Sequence, residues 1–70
     1  MPLQKRSFSL AGHRTSVALE AEFWAVLDAD VKAAGISLAA LVARIDAARG
    51  ARPLASALRL HALESARRSG

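Results

Sequence analysis

The sequence predicts a mainly α fold with one β-strand, assembled as an intertwined homodimer with a two-stranded antiparallel ribbon and a third C-terminal helix. Three observations lead there. Residues Arg14-Thr15-Ser16-Val17-Ala18-Leu19 alternate polar and apolar as a single strand does. Helical periodicity follows that run through most of the remaining chain. The chain has 70 residues and no cysteine, so a disulfide cannot support a small core. A lone strand leaves its backbone donors and acceptors unmet, and pairing with a second copy about a two-fold axis satisfies them.

The first strand-like stretch is Ser7-Phe8-Ser9-Leu10, which ends at Ala11-Gly12. Gly12 tolerates positive φ and permits a turn or bulge. Residues 6–10 therefore form either an arm or a hairpin with the main strand, and the arm is preferred. The chain divides into a basic N-terminal arm (1–13), a strand-helix-helix core (14–50) and a C-terminal helix with its tail (51–70).

In the main strand, 14–19, Val17 and Leu19 mark the core face, which Thr15 shares. Arg14, Ser16 and Ala18 fall on the outer face. A helix follows over about 20–34. Glu20 and Glu22 suit its positive dipole end, and Phe23, Leu27 and Val31 form its stripe, flanked by Trp24 and Val26. Trp24 reads as a core or dimer-interface residue ahead of a partner-binding anchor.

Gly35 fits a left-handed cap, and Ser37 is a good N-cap for a helix over about 38–48. Leu38, Leu41, Val42 and Ile45 give that helix the cleanest amphipathic pattern in the chain. Gly50 closes it. A third helix begins near Pro53 and carries a looser stripe of Leu54, Leu58, Leu60 and Leu63. Residues 67–70 are expected to fray. Beyond alanine richness, no repeat or low-complexity segment is read.

Charge is unevenly placed. Residues 1–18 carry a net +3, residues 19–48 a net −3 and residues 49–70 a net +4, for +4 overall. A dimer carries +8 and brings two basic strands together, the electrostatic footprint that suits a polyanion. Ordinary solubility accounts for the same excess of lysine and arginine.

Apolar stretches are short and broken by charges, so no membrane span is expected. Met1-Pro2-Leu3-Gln4-Lys5-Arg6 has no apolar core behind it, so no secretory signal is read and the expected location is cytoplasmic. His13 and His61 lie far apart without ligand spacing, and neither a metal nor a cofactor is expected. Nucleophile, base and orienting acid do not occur at usable spacing, and no glycine-rich phosphate loop is present, so no enzyme is expected.

The order strand, helix, Gly-x-Ser turn, helix over Arg14 to Ala48 resembles the ribbon-helix-helix DNA-binding proteins. The stretches Lys5 to Ser16, Ile36 to Val42 and Ile45 to Gly50 are similar to short, stand-alone members of α-proteobacterial type. With that branch the resemblance extends over nearly the full length.

The resemblance implies a homodimer whose ribbon enters the major groove of double-stranded DNA, with Arg14, Ser16 and Ala18 facing the bases. Arg14 then pairs with guanine and Ser16 with several bases. Ala18 departs from the usual polar residue and offers only apolar contact, as to a thymine methyl. The resemblance also directs the N-terminus of the second helix, Ser37-Leu38, at a phosphate. Ser37 serves as cap, phosphate contact or both.

Lys5 and Arg6 reach flanking phosphates or form a loose basic terminus, and His13 contacts phosphate or is merely exposed. Arg44, Arg49 and Arg52 are solvated, paired with Asp46 or close to DNA. Thr15, Val17, Leu19, Phe23, Leu27, Leu41 and Ile45 form the expected dimer core.

The function implied is a bacterial transcriptional regulator on the nucleoid, with itself and double-stranded DNA as partners and no small-molecule ligand evident. The alternative is a protein-interaction module, antitoxin-like or an adaptor, acting through Leu60 and Leu63.

Overall fold

The computed structural model describes residues 2–69. Strands β1 (Leu3–Leu10) and β2 (His13–Glu20) are followed by helices α1 (Ala21–Ala34), α2 (Leu38–Ala48) and α3 (Leu54–Ser69).

The main strand finds its partner within its own chain. β1 and β2 pair antiparallel, with Ser7 opposite Ser16, Lys5 opposite Ala18 and Ser9 opposite Arg14. Residues 3–10 are therefore a strand rather than a basic arm, and the sheet has two strands from one chain. The two-residue loop explains this outcome. Ala11 and Gly12 both have positive φ, at 51° and 82°, as a type I′ turn requires, and such turns match the twist of paired strands. Closing so short a loop forfeits far less freedom than bringing two molecules together.

Alternation then sorts the side chains. Phe8 and Leu10 of β1 and Val17 and Leu19 of β2 are buried on one face. They meet Trp24 and Leu27 of α1, Leu41 and Val42 of α2, and Leu58 and Ala62 of α3 in one core. Thr15, Phe23 and Ile45 are half-buried. The residues expected to line a dimer core thus lie in or around the core of a single chain. The strand from which a dimer was expected, β2, has a partner strand in its own chain, β1.

The α1 stripe is rotated from the expected one. Trp24 and Leu27 are fully buried, while Phe23 and Val31 pack at the margin. Trp24 turns inward because its indole Nε1 donates to the Gln4 carbonyl at 2.7 Å, tying α1 to β1.

Gly35, at φ 70°, caps α1, and its amide donates to the Val31 carbonyl. Ser37 caps α2 by accepting from the Ala40 amide at 3.0 Å. α3 continues through Ser69, so Arg67 and Arg68 are helical rather than frayed, and Gly70 lies outside the described residues. Of the α3 leucines, Leu58 is buried, Leu54 is half-buried, and Leu60 and Leu63 are exposed. Ser65 Oγ donates to Asp30 Oδ1, and His61 Nε2 stands 3.6 Å from Asp30 Oδ2, which together hold α3 against α1.

Candidate nucleic-acid interface

A hairpin with one face in the core presents its other face to solvent. On β2 that face carries Arg14 and Ser16, both exposed, and the half-buried Ala18. On β1 it carries Lys5, Ser7 and Ser9, all exposed. The register sets these six residues in three cross-strand pairs. At the centre, Ser7 Oγ and Ser16 Oγ are 3.0 Å apart and share a hydrogen bond.

The face is cationic and its cations are available. Among the described residues, neither Lys5 nor Arg14 has an ion-pair partner, whereas Arg6, Arg49 and Arg59 each hold a carboxylate. At the open end of the hairpin Leu3 pairs with Glu20. Arg59 Nε donates to Glu20 Oε1 at 3.1 Å, so α3 offsets the acid at that margin. Glu20's carboxyl is held below its ordinary value, first by a hydrogen bond from its own backbone amide and next by that of Arg59.

Two residues assigned to phosphate lie elsewhere. Arg6 has the opposite parity to Lys5, so it sits on the core side of β1. Its two terminal nitrogens donate to the two carboxylate oxygens of Asp28 at 2.9 and 3.2 Å, and its guanidinium carbon stands 4.7 Å from the Trp24 ring centroid. That cation is engaged within the fold. His13 pairs with Leu10 at the tip, exposed but off the face that carries Arg14.

Lys5, by contrast, joins the strand face instead of a loose arm. Ser37 and Leu38 begin α2 as expected. The first amides of a helix have no intrahelical acceptor, and here the Ser37 side chain meets the Ala40 amide. Arg49 pairs with Asp46 at 2.7 Å and also donates to the Arg52 carbonyl.

Ser7 and Ser9 are not among the residues the sequence marks for this face. The signal was present: Ser7 and Ser9 alternate with Phe8 and Leu10 immediately before a two-residue Ala-Gly loop. Among the described residues, no three His, Asp or Glu side chains are grouped so as to hold a metal. Among the described residues no helix is long and apolar enough to cross a membrane.

The ribbon-helix-helix domain family matches residues 3–66, which span both strands and nearly all of α3. The chain belongs to the ribbon-helix-helix family. No curated protein and no solved structure matches it. Ribbon-helix-helix domains are typically DNA-binding transcription regulators without enzymatic activity, and they generally bind DNA as dimers. In this ribbon-helix-helix chain β1 and β2 pair with one another as a two-stranded antiparallel sheet.

Proposed function

We propose that this chain binds double-stranded DNA through the outward face of its hairpin and acts as a transcriptional regulator. The observation that carries this reading is the pair of cations, Lys5 and Arg14, without an ion-pair partner among the described residues, flanking the bonded Ser7 and Ser16 on one exposed strand face. The major groove of B-DNA admits a two-stranded ribbon of this kind. Arg14 reads guanine through its forked donors, Ser16 contacts several bases, and Ala18 offers apolar surface to a thymine methyl. Lys5 adds a second cation, and the α2 amides at Ser37-Leu38 receive a phosphate.

The family's general use of dimers supports self-association here as well, each copy contributing its own hairpin. The place of action is the nucleoid of a bacterial cytoplasm.

The test is fluorescence anisotropy of a labelled random duplex titrated with the protein across a salt series. Binding that weakens steeply with salt is expected, because each contacted phosphate releases counterions. Absence of binding at low salt overturns the reading. It would turn attention to Leu60 and Leu63, 44% and 50% exposed on α3, as a protein-binding surface.

A further inference from the structure

The C-terminal end of α1, the α1–α2 turn, α2 and the second half of α3 enclose a cavity of about 380 Å³. That volume lies within the range of ligand pockets, about 300–1,000 Å³, which are mostly apolar with a few placed polar groups. Val31, Ile36 and Leu41 give the cavity an apolar wall. All three pack in or against the core, so the wall is built by the fold.

Polar groups of opposite sign complete the lining. Inside, Asp30 Oδ1 accepts from Ser65 Oγ, while Asp30 Oδ2 is buried and accepts no hydrogen bond among the described residues. His61 Nε2, at 3.6 Å, lies beyond hydrogen-bond range of that oxygen. A buried acceptor left this way is costly, and a donor placed against it recovers the loss. Toward solvent stand Arg44 of α2 and Arg68 of α3, both exposed. Arg44 is three residues beyond Leu41 and Arg68 three beyond Ser65, so helical spacing puts each on the cavity side of its helix. Among the described residues neither has an ion-pair partner, in contrast to Arg6, Arg49 and Arg59.

From this arrangement we infer that the cavity is a binding site for a small organic carboxylate that also carries a hydrogen-bond donor. The carboxylate meets the Arg44 and Arg68 guanidiniums, whose forked donors match its two oxygens. The donor, an amine or a hydroxyl, meets Asp30 Oδ2. An apolar body between the two ends lies on Ile36 and Leu41. The charges fix this polarity, since the rim cations repel an amine and the acidic oxygen inside repels a carboxylate. All the lining residues come from the three helices and the α1–α2 turn, away from the hairpin face that carries Lys5 and Arg14. The inference therefore stands apart from DNA binding, and absence of duplex binding would not touch it.

The test is a titration of the isotopically labelled full chain with para-aminomethylbenzoate in phosphate-free buffer, followed by NMR. Benzoate, which lacks the donor, and benzylamine, which lacks the carboxylate, are the matched controls. Saturable shifts are expected at Asp30, Ile36, Leu41, Arg44, His61 and Ser65. Each control should bind about tenfold more weakly, as expected for losing one hydrogen bond to a charged group. Arg44→Gln and Arg68→Gln should each weaken para-aminomethylbenzoate about tenfold. Arg67→Gln, which removes an equal charge outside the cavity lining, should leave its affinity unchanged. Asp30→Asn should remove the advantage over benzoate. Circular dichroism checks that each variant folds, and the two exposed arginines carry the test if Asp30→Asn does not.

No saturable shift with para-aminomethylbenzoate overturns the inference. Equal binding of benzoate, or an Arg67→Gln effect as large as that of Arg68→Gln, also overturns it and leaves only surface charge. Shifts at the cavity on raising protein concentration alone would show that a second copy covers it, and would overturn it too.

Discussion

The guanidinium carbon of Arg6 stands 4.7 Å from the ring centroid of Trp24. The same guanidinium forks onto Asp28 one helical turn further along α1, and the Trp24 indole donates to the Gln4 carbonyl. Four residues thus latch β1 to α1 through a cation–π contact, an ion pair and a hydrogen bond. A residue that reads as part of a basic terminus works as a structural cation.

Arg6→Ala should lower unfolding stability by about 1 kcal/mol. The ion pair is partly exposed, and such pairs contribute ~0.2–1 kcal/mol, with a cation–π contact at an exposed site adding ~0.5–1 kcal/mol. Urea denaturation measures the loss, and duplex affinity should change little. Unchanged stability with a collapse of DNA affinity would return Arg6 to the phosphate role.

Arg14→Ala should leave the fold intact, since Arg14 is exposed and has no ion pair among the described residues. It should weaken duplex binding by ~1–3 kcal/mol, the range for loss of a bidentate base contact. Anisotropy titration at fixed salt measures this, and an unchanged Kd removes Arg14 from the interface.

Ala11→Asn should stabilise the hairpin. Ala11 has φ 51°, a region that costs a Cβ-bearing residue roughly 1–2 kcal/mol, and asparagine tolerates it better than alanine. Asn-Gly is also the preferred type I′ pair. A rise in Tm of a few degrees is expected from ~0.5–1 kcal/mol in a domain of this size. A fall in Tm would mean that the turn does not set the register.

Val17→Asp should abolish cooperative unfolding by placing a carboxylate where the native side chain is 4% exposed. A Val17 in the expected dimer core would make this change separate a dimer. The structure expects the single chain to lose its core. Thermal circular dichroism combined with sedimentation distinguishes the two, and a folded Val17→Asp monomer would contradict the single-chain core.

Glu20 makes stability depend on acidity. Its folded-state value is lowered, so the unfolded chain takes up the proton more readily than the folded one. The stabilisation is present above the ordinary carboxylate range and is lost as the pH falls through the lowered value. Glu20→Gln should flatten this part of the acid-side decline in Tm. An unaltered pH profile would show that Arg59 and the backbone amide do not favour the ionised form.

The sequence determined the elements whose signals are local. Alternation in 14–19 assigned Val17 and Leu19 to the core and Arg14, Ser16 and Ala18 to the outer face. Gly35 and Ser37, which cap through their own backbone angles and a hydrogen bond three residues away, located the break between α1 and α2. The origin of β2's partner strand was settled only by tertiary structure. A hydrogen-bond ladder is met equally well by a strand from the same chain or from another copy, and β2's own alternation is identical in both cases. Gln4 and Arg6 concealed β1, because polar residues occupy its inward positions near the open end. Only α1 supplies their partners, Trp24 bonding the Gln4 carbonyl and Asp28 the Arg6 guanidinium. Contacts about twenty residues apart in sequence, together with a two-residue turn, give β2 a partner strand within its own chain.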